Sequence, residues 1–164
     1  MPRPDLTAAL DRYADLKRAV CAEACGPADL VMLMEVIDTA GHVVMVAPEN
    51  ALGIGIGVRS AAEVLPEPIA NTVVICEAFL SALPSSAPPP AHGQLQARYY
   101  GGDSSVEEVM IAVSFDSVGI TVDTLTRRCA YDDAGLPTFP HPDKPLDALL
   151  AGGAIIGAMR EALR

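Results

Sequence analysis

The 164-residue chain has no tryptophan, only three Phe and four Tyr, and few basic side chains. With so few aromatics, a core must be filled by aliphatic, alanine and methionine side chains. Lys and Arg number 11 against 21 Asp and Glu, a net charge of -10. That balance excludes a nucleic-acid binder that works by neutralising phosphates. No stretch approaches 18 uncharged apolar residues without glycine or proline, so no transmembrane helix is expected. The start, Met1-Pro2-Arg3-Pro4-Asp5, lacks a basic segment followed by an apolar run. A signal peptide is therefore not expected, and a cytoplasmic location is.

Hydrophobic residues are not scarce. They make up 51% of the chain, too many for intrinsic disorder. The length suits one domain with a real core, spanning 1–164. Cys21, Cys25, Cys76 and Cys129 are even in number, but without a secretory signal they are expected reduced. Cys21 and Cys25 have no second pair of ligands nearby, so they are read as small apolar residues and no metal is assigned. No motif calls for a cofactor.

Periodicity outlines the elements. Leu6, Leu10, Tyr13, Leu16 and Val20 predict an amphipathic helix over 5–24, stopped by Gly26-Pro27. Residues 29–47 predict a β-hairpin turning at Asp38-Thr39-Ala40-Gly41. Gly53, Gly55 and Gly57 alternate with Ile54, Ile56 and Val58, which predicts a strand with one bare face. Residues 59–83 read as mostly helical. Ile69, Val73, Cys76 and Leu80 form its apolar stripe, a candidate dimer or partner face. Residues 84–93 are Pro-rich and read as a long loop. An antiparallel meander is expected over 94–139, beginning with a strand at 94–100. Leu146, Leu149, Leu150, Ile156, Met159 and Leu163 predict a C-terminal amphipathic helix. The class is therefore α+β, an antiparallel sheet of hairpin plus meander flanked by N-terminal, central and C-terminal helices.

Candidate chemistry is sparse. Asp38 and His42 across the hairpin turn form a potential acid–base pair, with no Ser or Cys nucleophile beside them. Gly53, Gly55 and Gly57 could bring backbone close to a ligand, although the spacing fits no phosphate loop. His42, His92 and His141 are scattered and form no zinc motif. No catalytic residue is assigned.

Val36-Ile37-Asp38-Thr39-Ala40-Gly41-His42-Val43-Val44 resembles a hairpin of the small heme-binding proteins associated with glycolate utilisation. The resemblance implies a hairpin inside a profilin-like α+β fold, with a small-ligand sensor as the function. The arginine that follows the strand in that family is Pro48 here. The overall layout is similar, at fold level, to that of small acidic secretion chaperones. The leading expectation is a non-enzymatic, dimeric adaptor or chaperone-like module with a protein partner. A ligand sensor and an enzyme of unassigned reaction are the alternatives.

Overall fold

A computed structural model of the chain describes residues 3–50, 52–81, 91 and 93–145. Three helices and a six-stranded antiparallel sheet make up these residues. The order is α1 (Leu6–Ala24), β1 (Leu33–Asp38), β2 (Val43–Val46), α2 (Gly53–Val64), β3 (Ile69–Ser81), α3 (Gln94–Tyr100), β4 (Val106–Asp116), β5 (Thr121–Tyr131) and β6 (Pro137–Thr138). Across the sheet the strands run β2-β1-β3-β4-β5-β6. The α+β class expected from the sequence is therefore the class observed. The expected C-terminal helix and most of the Pro-rich loop lie outside the described residues.

Helix α1 starts where Asp5 accepts a hydrogen bond from the Ala8 amide at 3.0 Å, a side-chain cap for an otherwise orphan donor. It ends at Cys25, in the left-handed region at φ 56, with the Gly26 amide donating to Cys21 O. Its inner face, Leu6, Ala9, Leu10, Tyr13 and Ala14, packs on Val73, Ile75, Met110 and Ala112 of the sheet. The predicted hairpin forms β1 and β2, with Val36 opposite Val44, and Gly41 takes φ 90 in the turn.

Two predicted elements exchange their type. The alternating Gly-Ile segment is helix α2, not a strand. Its inward residues are Ile54, Val58, Ala61 and, just past its end, Leu65, spaced by four, three and four. Asn50 Oδ1 accepts from the Leu52 and Gly53 amides at 3.0 and 3.2 Å, which satisfies donors at the helix start. Six glycine-free residues then follow from Val58 to Glu63, and the helix covers Met34, Val36, Val74, Val113 and Phe115.

The segment expected to be a helix over 69–83 is instead the strand β3. It lies between β1 and β4, with α1 on one face and α2 on the other. A strand buried on both faces reads as a continuous apolar run, which periodicity cannot separate from a buried helix. Ile69, Val73, Cys76 and Leu80 therefore do not form one stripe. Val73 belongs to the α1 side of the core, Ile69 packs against the α2 side, and Leu80 is half-buried. The expected strand 94–100 is also helical, as α3.

Gly57 shows how closely α2 approaches the sheet. A Cβ there would stand 2.7 Å from Met34 Cε and 2.9 Å from Val46 Cγ1. At Gly53 the nearest neighbour is Pro48 Cβ at 3.4 Å, an ordinary contact. Gly57→Ala is expected to destabilise by about 1–2 kcal/mol, because overpacking outweighs the gain in helix propensity. Gly53→Ala is expected to be neutral or stabilising by up to about 1 kcal/mol. Urea denaturation of the two variants side by side measures the contrast. Equal midpoints would refute the close packing at Gly57.

Candidate functional site: an open strand edge beside a buried ionic cluster

Strand β3 is longer than the strand beside it. The β1 pairing runs from Asp38↔Ile69 to Leu33↔Ile75 and stops. On the other side β4 continues along β3 to Ser81. Among the described residues, Cys76–Ser81 therefore has a paired edge and an edge without a strand partner. The chain leading into β1 leaves β3 at this point. The Leu30 amide donates to Glu77 Oε2 at 2.9 Å rather than to the β3 backbone.

A cavity of about 820 Å³ occupies the gap. Cys76, Glu77, Ala78 and Phe79 all line it. Successive side chains of a strand point to opposite faces, so a cavity touching four in a row follows the strand's edge. Leu30, Val31 and Met32 form one wall, and the start of α3, with Gly93, Leu95 and Gln96, forms the other. Phe79, Tyr99 and Tyr100 hold α3 to the sheet, with ring centroids 5.4–6.0 Å apart.

Glu77 connects this groove to a cluster of charged groups inside the protein. Lys17 of α1 is fully buried, and its ammonium meets Glu77, Glu108 Oε1 at 3.3 Å and the Ala28 carbonyl. Tyr131 donates to Glu108 Oε1 at 2.9 Å. The ammonium donates hydrogen bonds to the Ala28 carbonyl and Glu108 Oε1, and Glu77 Oε1 is its ion-pair partner. Burial opposes the charge on Lys17, but the two carboxylates outweigh it and raise its pKa above the ordinary lysine range. Glu77 is shifted upward, chiefly by burial and further by the Glu108 charge, against the pull of Lys17 and the Leu30 amide.

Burial likewise pushes the Cys76 and Cys129 thiols up to about 12. Both stay protonated near neutral pH and are poor nucleophiles. Sequence reasoning named Cys76 as part of a helical face; its position is the groove floor.

The other candidates lie elsewhere. Asp38 and His42 do come together, with His42 Nδ1 2.9 Å from Asp38 Oδ2. Asp38 is buried, and its Oδ1 also accepts from the Ala40 and His42 amides at 2.9 and 2.8 Å. Burial opposes its charge, but the His42 and backbone hydrogen bonds outweigh it and hold the carboxyl below its usual range. This is the bonding of a turn-stabilising aspartate. Gly53 and Gly57 face Pro48, Met34 and Val46 rather than that pair, and Gly55 is half-buried on α2.

A second, smaller cavity of about 450 Å³ adjoins α2 and is lined by Leu52, Ile56 and Glu49. Glu49 lines the first groove as well. Leu52 is 89% exposed and Ile56 62%. Among the described residues, no group of three or more His, Cys, Asp or Glu could hold a metal ion. No described helix is long and apolar enough to cross a membrane.

The open edge, Glu77 and the Lys17 cluster were missed from sequence. Their signal is the apolar run at 69–81 with a single carboxylate at Glu77, which has meaning only once the run is a strand. Comparison of the chain with protein-family models, curated proteins and solved structures finds no match.

Proposed function

We propose that the chain is a protein-binding module, adaptor-like or chaperone-like and not an enzyme. In this reading an extended segment of the partner adds as a strand along Cys76–Ser81. The observation that carries it is the mismatch between β1 and β3, which leaves a strand edge facing a cavity. Addition to an open sheet edge draws affinity from main-chain hydrogen bonds and specificity from pockets for alternate side chains. Exposed edges usually carry guarding charges, bulges or a covering element. The β5 edge has such a cover, because Tyr131, Ala130 and Thr126 pair with Pro137, Thr138 and Lys144. The end of β3 is lined instead by a groove.

A randomised peptide library panned on the protein tests the reading. Binders are expected, and amide exchange measured with a bound peptide should slow within Cys76–Ser81. Failure to recover binders, or protection confined to the other sheet edge at Val43–Val46, overturns it.

A further inference from the structure

Three carboxylates border the groove, from Asp29, Glu49 and Glu77. Among its described lining residues there is no Lys, Arg or His. Lys17, the cation paired with Glu77, is fully buried and also meets the Ala28 carbonyl and Glu108. One lysine thus faces two carboxylates, and with both ionised the cluster keeps one negative charge in excess. Glu77 Oε2 uses one lone pair on the Leu30 amide, and a carboxylate oxygen has a second.

A strand added beside β3 places one residue directly opposite Glu77, with Cβ atoms about 4.5–5.5 Å apart. Opposite charges at such a cross-strand position attract, and like charges repel. Farther along, the groove shares Glu49 with the cavity at exposed Leu52 and Ile56.

Resting on the edge of β3 as the binding site, we propose that the partner segment carries a lysine or arginine opposite Glu77, followed by an apolar residue seated over Leu52 and Ile56. Glu77 is then the residue that selects the partner, with Asp29 and Glu49 adding attraction at the rim. The negative charge of the whole chain works in the same direction by raising the encounter rate of basic segments.

The same panned library supplies the test. Recovered peptides are expected to share a basic residue. Replacing it with norleucine should weaken binding about tenfold, as read by fluorescence anisotropy, a size typical of a partly desolvated charge pair. In the Glu77→Gln variant that replacement should cost about twofold or less, because the two changes remove one interaction. The double variant Asp29→Asn/Glu49→Gln, at exposed positions, should weaken all basic peptides by a few-fold and keep the protein folded whatever Glu77→Gln does to stability. Binders without a basic residue overturn the cation and leave the strand addition standing. Equal dependence on the basic residue in the parent protein and in both variants also overturns it. If no binder is recovered, the strand addition falls and the cation with it.

Discussion

Replacing Lys17 with methionine is expected to lower the unfolding free energy by about 3–5 kcal/mol, the usual cost of removing one partner from a buried ion pair. Methionine is close to lysine in length and keeps most of the packing of its stem. What it cannot replace is the ammonium. Glu77 and Glu108 are left together without a counter-charge, and the Ala28 carbonyl loses its donor. The deficit should depend on pH. In the parent protein the raised Lys17 pKa stabilises the fold at every pH below the free lysine range, and that contribution is lost only as pH rises past it. In the variant Glu77 loses the pull of the Lys17 ammonium, so burial and the neighbouring Glu108 shift its carboxyl further upward, while a free glutamate ionises at about pH 4.3. The fold therefore weakens as pH rises through and above that value, so the loss should be larger at pH 8 than at pH 5. Urea denaturation at both values measures it, and an unchanged midpoint would refute a fully buried Lys17. Adding Glu77→Gln and Glu108→Gln to the variant should recover part of the loss.

Val73→Asp is expected to prevent folding altogether. Val73 is 1% exposed and packs within the α1 side of the core. An aspartate there would lie directly opposite Glu35 on one side and Ser114 on the other. Arg12 is already committed to Glu35, at 3.1 and 2.7 Å. The new carboxylate would be buried, unpaired and beside a like charge, which costs more than about 4 kcal/mol. That approaches the whole stability of an ordinary domain, about 5–15 kcal/mol. Circular dichroism and solubility on expression read the result. A folded, monomeric variant is the outcome expected of a surface helix at 69–83, and it would contradict the central strand. Val73→Ala, which removes two methyl groups and adds no charge, should fold with a lower midpoint.

Much of the fold was legible in the sequence. Helix α1 carries an apolar stripe through Leu6, Leu10 and Tyr13, the β1–β2 hairpin has its turn chemistry at Asp38–Gly41, and β4 and β5 lie within the predicted meander. The exchanged pair, α2 and β3, was illegible for a specific reason. Ile54 and Val58 fit both a period of two and a period of four, so the intervening glycines appeared to decide for a strand. In the fold Gly57 is required by a helix lying close on Met34 and Val46. Strand β3 is apolar at most positions because both its faces are covered, and that removes the alternation that would mark it. Helix α3, Gln94–Tyr100, is too short to show a period.

The candidate site was less legible still. Lys17 and Glu108 are 91 positions apart, and no local pattern announces that they meet. The groove exists because β1 stops pairing at Leu33 while β3 continues to Ser81. Strand registers are long-range facts, set by how the hairpin, β3 and β4 align.

By itself, then, the chain's order of residues determined the α+β class, the acidic charge, the N-terminal helix and the turns, because each depends on composition or on neighbours within a few positions. Only the tertiary structure decided which apolar segment became the central strand, which carboxylates were buried against one lysine and which strand edge has no strand partner among the described residues. Those depend on contacts between residues far apart in sequence, and packing there overrides local propensity.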